Sequence, residues 1–371
     1  MKLRARPFAA LFDAVAACVQ SDRDGLERAL AGVPARRLFS QAVRHKCCGL
    51  LLYNIASLRI RTPELRELVE LLRRYAGTAA LDAVATRSQV LDILEILSEH
   101  SIPNALLKGS ARLFAGDRIT EWTHTFDIDV FVPHEAADAA ASALLERGYR
   151  YQFDAATIAG YRRHHQHLAP LLPPGAGKPV ELHVALMLSS YFSLRCDWHA
   201  LKWHLEPMDE SGSVLRLDAF GRALHMAMHG AGMYRLGDAA QMALELRSDP
   251  DLYRRLYAFM SGECIQPIPL LGVLAAGAQL AGMDVDVEPA VRRYVEWTIA
   301  REDLPELCHN RMQLVDAWFA NGGAFTGPAT RLAFPPTRRY DGSATSYAER
   351  FRILAGRVVA GVAGAGYRSF L

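Results

Sequence analysis

The sequence has few cysteines and no recognisable export signal. Its six cysteines lie far apart except for one adjacent pair, and none shows the CxxC spacing of zinc sites or redox couples. This usage fits a reducing compartment, so we expect a cytoplasmic protein. The apolar run 8–12 is too short for a secretory signal, because Asp13 ends it and no small-residue cleavage pattern follows.

Long uncharged runs are also scarce. Residues 264–283 carry no charge and are nominally long enough to span a bilayer, but Pro267, Pro269 and Gln279 interrupt them. Alanine and glycine dominate the second half of this run. We therefore predict a buried helix here and no integral membrane association.

Neither sign of charge dominates the chain. The 42 basic residues oppose 40 acidic ones and leave a net charge of +2. This balance gives no general case for binding nucleic acid or a membrane surface. The segment 327–371 is a local exception with an excess of arginine. Its residues 347–362 could form either a basic amphipathic helix that contacts phosphate, an acidic partner or a membrane surface, or a solvated terminal helix.

The spacing of apolar residues changes along the chain. Leu65, Leu68 and Leu72 show the three-and-four spacing of a helix with one buried face. After Pro103, short apolar runs with turn residues alternate with helix-like stretches, which indicates a small α/β unit. The predicted units are an N-terminal helical region at 1–100, an α/β core at 101–190, a C-terminal helical domain at 191–326 and a basic C-terminal segment at 327–371. The predicted fold class is α+β, with a small mixed sheet flanked by helical regions on both sides.

Two acidic residues alternate with apolar ones in FDIDVFV at 126–132. In a β-strand, Asp127 and Asp129 share one face while Ile128 and Val130 pack into the core. Crowded carboxylates repel each other, so at least one of their pKa values should rise unless a cation neutralises them. Mg²⁺ and similar hard divalent cations prefer oxygen ligands. The pair therefore predicts a divalent metal site.

A third carboxylate, Glu181, lies in the later strand-like run VELHV at 180–184. If this strand pairs beside FDIDVFV with Glu181 on the face of Asp127 and Asp129, three carboxylates would converge and could hold two metal ions. Only tertiary pairing can bring these residues together, because they lie far apart in the chain.

The segment LLKGS at 106–110 predicts a phosphate-binding turn. Gly109 lets a phosphate approach the backbone, the Ser110 hydroxyl and the following amides can donate hydrogen bonds, and the helix dipole favours an anion. A phosphate cradle beside a two-metal cluster is what in-line attack on a nucleotide α-phosphate requires. Lys108 and Lys178 also lie near the predicted site, either as phosphate contacts or by chance.

Several histidines are further candidates. His183 shares a strand face with Glu181, which favours a substrate contact or a supporting contact. Together with His164, His165 and His167 it also invites a zinc hypothesis. His225 and His229 are one turn apart on a predicted helix. They could face the cleft or have polar partners at a domain interface.

The order of these motifs resembles the DNA polymerase β-type nucleotidyltransferase superfamily, in which Gly-Ser, a helix, Asp-x-Asp on a strand and a later acidic residue follow one another. A closer resemblance, to the largely uncharacterised bacterial nucleotidyltransferase family within it, covers nearly the whole chain. The segments that carry it are LLKGSARLF, DIDVFV, ERGYRY, HHQHLAPLL, VELHVAL, ALHMAMHGAGMYRLGDAAQM and FPPTRRY. This resemblance implies a nucleotidyltransferase core, Mg²⁺ or Mn²⁺ as cofactor, and ATP or another nucleoside triphosphate as substrate.

The resemblance also implies roles for individual residues. Asp127 and Asp129 would bind both metals and Glu181 one of them, while Glu181 also helps to deprotonate the acceptor. Arg118 is the nearest basic substitute for an arginine that the family typically places before Asp-x-Asp. The residues expected to bind the nucleotide are Lys108, Gly109, Ser110, Arg118 and Lys178.

We therefore expect a metal-dependent enzyme that transfers a nucleoside monophosphate from a triphosphate to an unidentified acceptor, which could be a peptide, a small molecule, a protein or RNA. Two alternatives remain open. Residues 123–126 replace the arginine and the small residue typical of the family, which favours a catalytically silent nucleotide-binding protein of the same fold. The basic C-terminal segment favours a toxin-like enzyme that modifies tRNA.

Overall fold

The computed structural model describes residues 7–186, 196–210, 212–232, 235–263, 268–292 and 295. The predictions for the basic segment 327–371, including its helix at 347–362, lie outside the described residues.

The N-terminal region is helical, as its apolar spacing predicts. Its helices are α1 (Pro7–Gln20), α2 (Arg23–Leu30), α3 (Ala35–Arg44), α4 (Cys48–Ser57) and α5 (Arg66–Glu99), with a 3-10 turn at Pro63–Leu65 before α5. Leu65, Leu68 and Leu72 are buried, which confirms the predicted buried face. The first half of α5 packs in one apolar cluster with α1 to α4, and its second half packs in another cluster under the sheet.

A seven-stranded mixed sheet forms the centre of the described chain. Its strands are β1 (Ala105–Leu106), β2 (Ile128–Phe131), β3 (Arg150–Tyr151), β4 (Leu171–Leu172), β5 (Val180–His183), β6 (Leu205–Pro207) and β7 (Leu215–Leu217). The spatial order is β3-β4-β5-β2-β1-β7-β6. The β2–β5 and β1–β7 pairs are parallel and the other pairs are antiparallel. The predicted α+β class with a mixed sheet is confirmed, and β6 and β7 are two strands that the sequence did not indicate.

Helices cover the sheet and continue beyond it. They are α6 (Lys108–Phe114), α7 (Arg118–Glu121), α8 (Ala137–Glu146), α9 (Ala155–His164), α10 (Trp198–Leu201), α11 (Ala219–Gly232), α12 (Leu236–Ser248), α13 (Asp251–Glu263) and α14 (Ile268–Ala281). The apolar side chains of α11 to α14 pack in the same cluster as those of α1 to α4. Helices from both ends of the chain therefore share one core.

The uncharged run at 264–283 contains α14, which is buried as predicted. Leu270, Leu274 and Ala278 are fully enclosed among the neighbouring helices. Residues 264–267 of this run are outside the described part. Among the helices that the structure describes, none has the length and apolar character needed to cross a membrane.

The two faces of the sheet differ in what they contact. Ile128, Val130 and Leu182 belong to the apolar cluster formed with the second half of α5 and with α8. Phe131, which alternates with them, belongs to the cluster shared by the helices of both chain ends. Because side chains alternate along a strand, the acidic residues of β2 and β5 lie on the Phe131 face. The candidate site therefore lies between the sheet and those helices.

Candidate functional site

Strands β2 and β5 bring two of the predicted carboxylates side by side. The strands are parallel, and their register pairs Asp129 with Glu181 and Phe131 with His183. The predicted pairing of VELHV beside FDIDVFV is confirmed, and Glu181 lies on the face of Asp129. Possible ligand atoms of Asp129, Glu181 and His183 lie within 4.8 Å of one another.

Asp129 lies at the centre of this group and only 2% of its side chain is exposed. Its Oδ1 accepts hydrogen bonds from Lys108 Nζ and from His183 Nε2, each at 2.7 Å. Burial alone would raise the pKa of Asp129, but the positive charge of Lys108 and the His183 hydrogen bond outweigh burial and hold that pKa well below its usual range. Asp129 is therefore ionised and acts as an acceptor only.

Residues 107–110 are attached to β2 at the position of Asp129. The Leu107 amide donates to the Asp129 carbonyl at 3.1 Å, and the Asp129 amide donates to Ser110 Oγ at 3.0 Å. Lys108 has a φ of +45°, a left-handed conformation that is uncommon for residues other than glycine. Such conformations persist where the surrounding contacts enforce them, often at functional sites.

Gly109 and Ser110 both lie at the start of α6, as predicted, but each has a structural contact there. Ser110 is buried, and its hydroxyl accepts a hydrogen bond from β2 and retains its own proton to donate. A Cβ atom on Gly109 would lie 2.7 Å from Thr125 Cγ2. Glycine avoids a close contact here, because the segment 123–126 packs against the start of α6.

Lys178 and Arg118 are not brought to the carboxylates. Lys178 Nζ lies 2.7 Å from Asp82 Oδ2 and also donates to the Thr125 carbonyl. The Gln89 side chain bonds both backbone groups of Lys178. Lys178 thus ties the segment 123–126 to α5. Arg118 is exposed at the start of α7, and within the described part of the chain no hydrogen bond or ion pair joins it to the acidic group.

Asp127 precedes β2 and shows the expected effect of crowding. Burial, followed by the negative charge of Asp129, raises the pKa of Asp127 to about 6. Glu181 differs, because it lies beside His167 and accepts a hydrogen bond from His183. These contacts outweigh burial and lower the pKa of Glu181. The expectation that one carboxylate pKa rises is confirmed for Asp127.

His167 and His183 both face Glu181, but their pKa values shift in opposite directions. His167 Nδ1 lies 2.8 Å from the Leu168 carbonyl, and its Nε2 lies 3.5 Å from Glu181 Oε2. Burial lowers the pKa of His167 to about 4, so its ring is neutral at pH 7. Burial and the charge of Lys108 act to lower the pKa of His183, but its hydrogen bonds to Asp129 and Glu181 outweigh them and raise it.

The two histidines of α11 lie on the helix side of the site. His225 is buried, and its Nε2 has no hydrogen-bond partner among the described residues. The charges of Lys108 and Asp129 act on its pKa, which burial lowers well below the usual value. His229 Nδ1 lies 3.0 Å from Asp238 Oδ2 on α12, so it does have a polar partner at a helix interface.

Lys46 is a candidate that the sequence did not single out. It lies between α3 and α4 with a φ of +55°, and its Nζ lies 5.3 Å from the centre of the Phe126 ring. Burial and the charge of Arg235 lower the pKa of Lys46, while the negative charges of Asp127, Asp238 and Asp129 act to raise it. The only feature of Lys46 that the sequence could have offered is that lysines are rare in this chain. The N-terminal helices therefore contribute a cation to the site.

A comparison with protein families agrees with this geometry. The model of a family described as uncharacterised nucleotidyltransferase matches residues 32–259, which is more than half of the chain. The chain belongs to this nucleotidyltransferase family. The match includes both β2 and β5 as well as Lys46 and Asp238. No curated protein and no solved structure matches the chain.

The donor atoms of the acidic group fit a divalent cation. His167 Nδ1 can donate to the Leu168 carbonyl, which leaves Nε2 of the neutral ring as an acceptor that faces the Glu181 carboxylate at 3.5 Å. The His167 nitrogen and the Glu181 oxygen both carry lone pairs, so their close approach is favourable when a cation lies between them. The group with ligand atoms within 4.8 Å contains His183 in place of Asp127, which differs from the three carboxylates that the sequence predicted. A nitrogen donor in the set favours Mn²⁺ or Zn²⁺, whereas the carboxylate oxygens alone suit Mg²⁺.

Proposed function

We propose that this protein is a divalent-metal-dependent nucleotidyltransferase that moves a nucleoside monophosphate from a nucleoside triphosphate to an unidentified acceptor. The observation that carries the proposal is the register of β2 and β5, which places Asp129 beside Glu181 with Asp127 two residues upstream. This arrangement places several carboxylates close together on the sheet face beside α6. The family to which the chain belongs supports the same type of reaction.

Asp127, Asp129 and Glu181 would hold the metal ions, with His183 beside them. A bound divalent ion supplies Lewis acidity that polarises the α-phosphate and lowers the pKa of an acceptor hydroxyl. Gly109 and Ser110 at the start of α6 would position the triphosphate. Lys108 would balance negative charge between the carboxylates and the phosphates.

The chemistry asked of these residues is in-line displacement. The acceptor oxygen forms a bond to the α-phosphorus while the bond to pyrophosphate breaks, and pyrophosphate leaves with the electron pair. The protein positions the reactants and stabilises charge, as is usual for phosphoryl transfer.

The test is transfer of label from each α-³²P-labelled nucleoside triphosphate in a cell extract with Mg²⁺ or Mn²⁺. Asp127→Asn and Asp129→Asn should each remove transfer and Mn²⁺-dependent nucleotide binding. Glu95→Gln is the matched control, because Glu95 is an exposed carboxylate on α5. Transfer and metal affinity that persist in both site variants would refute the proposal.

A silent nucleotide-binding protein is the second candidate. The Lys108 ammonium and the His183 ring both bind Asp129 Oδ1 and therefore compete with a metal ion for this carboxylate. If this arrangement is permanent, the protein would bind nucleotide without transferring it. Metal-independent nucleotide binding with no transfer in any extract would favour this candidate. The tRNA alternative depends on the segment 327–371, which lies outside the described residues.

A further inference from the structure

His229 and Asp238 form a histidine–aspartate pair that the proposed mechanism leaves unused. His229 Nδ1 lies 3.0 Å from Asp238 Oδ2, and about one fifth of each side chain remains exposed, 20% and 17%. Helix α11 carries the histidine and helix α12 carries the aspartate. The pair is therefore fixed by helix packing, and a small part of each side chain remains accessible to solvent.

The direction of the hydrogen bond determines which imidazole nitrogen is available. Burial alone would raise the pKa of Asp238, but His229 and the charge of Arg235 outweigh it and lower that pKa, so Asp238 is ionised. An ionised carboxylate only accepts, and His229 Nδ1–H must therefore donate to it. In the neutral ring, Nε2 then carries the lone pair. Burial lowers the pKa of His229, which favours this neutral form at pH 7.

The pair lies at a helix interface within electrostatic range of the acidic group. The charge of Lys108, which binds Asp129, acts on His229, and the charge of Lys46 acts on both Asp238 and Asp127. The start of α12 is held against the turn before Lys46, because the Gly237 amide donates to the His45 carbonyl at 2.9 Å. The same contacts thus position Lys46 and Asp238.

The reaction needs a base when the acceptor is a hydroxyl group. Glu181 would be the obvious base, but its carboxylate faces His167 Nε2 at 3.5 Å and His183 Nε2 at 3.6 Å. Glu181 is also one of the proposed metal ligands, so its carboxylate would be occupied within the acidic group. A neutral imidazole held by a carboxylate is a common general base and is worth typically about 10²–10⁴-fold in rate.

We propose that His229 is the general base that takes the proton from a hydroxyl group of the acceptor, with Asp238 as the residue that orients its ring. The acceptor O–H proton moves to Nε2, the acceptor oxygen forms its bond to the α-phosphorus, and pyrophosphate leaves with the electron pair of the broken bond. The proton then passes from His229 to solvent. This inference rests on the proposed nucleotidyltransferase function. It selects a hydroxyl acceptor over an ionised phosphate, which has no proton to lose.

The experiment measures kcat and the KM for nucleoside triphosphate in the labelled transfer assay with cell extract. His229→Gln should lower kcat by about 10²–10⁴-fold while the KM changes less than about threefold. Asp238→Asn should lower kcat by a smaller factor, since it acts through the ring orientation. Imidazole added to His229→Ala should restore part of the lost rate, which a purely structural role would not allow.

A second histidine–aspartate pair provides the matched control. His204 Nδ1 also lies 3.0 Å from Asp218 Oδ2, yet no described contact joins this pair to the acidic group. His204→Gln should therefore keep the wild-type kcat. If the wild-type protein transfers label and His229→Gln keeps an undiminished kcat, His229 is not the general base. The same follows if imidazole does not rescue His229→Ala. Either result would leave the proposed function standing. Absence of transfer by the wild-type protein would overturn both.

Discussion

The Lys108 ammonium lies 2.7 Å from the Asp129 carboxylate. A cation in this position neutralises part of the negative charge that β2 and β5 collect. The charges of Asp129, Asp127 and Glu181 raise the pKa of Lys108 against the effect of burial, so Lys108 remains protonated. A metal ion that binds Asp129 must share or displace this ammonium. The displaced Lys108 would then be available to the phosphates at the start of α6.

Removal of the Asp127 charge should stabilise the metal-free protein. The pKa of Asp127 in the folded state is about 6, above its ordinary value of 3.8, so the stability contributed by its protonated form is lost as pH rises through 6. Asp127→Asn cannot ionise. We expect a higher free energy of unfolding than wild type at pH 8 and a smaller difference at pH 4.5, measured by urea denaturation without metal. Equal differences at both pH values would contradict the crowding of these carboxylates.

Gly109→Ala should destabilise the protein through a single methyl contact. The new Cβ would lie 2.7 Å from Thr125 Cγ2 and 3.7 Å from Thr125 Cβ. We expect a loss of about 1–3 kcal/mol in the free energy of unfolding. Thr125→Ser removes the offending methyl group, so the double variant should recover most of this loss in a double-mutant cycle.

The matched control is Gly77→Ala in the middle of α5, where a Cβ would meet nothing within 4 Å. Alanine is the better helix former, and this variant should gain up to about 1 kcal/mol. If the effects of Gly109→Ala and Thr125→Ser simply add, the close contact between α6 and the segment 123–126 is not the cause.

We expect Lys178 to contribute mainly to stability and Lys108 mainly to ligand binding. Lys178→Gln removes the ion pair with Asp82, whose two side chains are 14% and 31% exposed, and should lower the free energy of unfolding by about 1–3 kcal/mol. Its effect on nucleotide affinity should be small. Lys108→Gln should weaken Mn²⁺-nucleotide binding about tenfold or more. Equilibrium binding of labelled nucleotide and urea denaturation, measured on both variants, check this, and the reverse pattern would contradict the assignment.

Lys46→Gln should weaken nucleoside triphosphate binding although Lys46 belongs to the N-terminal helices. Its charge lowers the pKa of Asp127, so its removal should also raise that pKa further. We expect nucleotide affinity to fall by about tenfold, as for one lost charge-assisted contact. Lys202→Gln is the control, because Lys202 lies over the exposed Trp203 ring at 4.9 Å. An equal effect of both variants would mean that only net charge matters.

The sequence predicted the parts of the site that follow from local alternation. Asp129 could be placed on the face opposite Ile128 and Val130 because strand periodicity determines it, and the acidic residue of VELHV suggested the partner strand. Asp127 was expected on the same strand face, but β2 begins at Ile128 and Asp127 lies just before it. The clamp of Lys178 on Asp82 could not be predicted, because those residues lie 96 positions apart and only the packed fold brings them together. Lys46 was missed for the same reason. The strands β6 and β7 read LEP and LRL, so a charged residue interrupts each of them and no apolar run marks them in the sequence.

Helix α5 limits how a substrate could reach the site, because it joins the two apolar clusters. Its 34 residues extend about 51 Å at 1.5 Å per residue and take part in both apolar clusters. A hinge between those clusters would have to bend a continuous helix and break its backbone hydrogen bonds. Under the proposed function, substrate entry should therefore depend on local movements, such as those of the segment 123–126 that Lys178 links to α5, while the two apolar clusters keep their relative position.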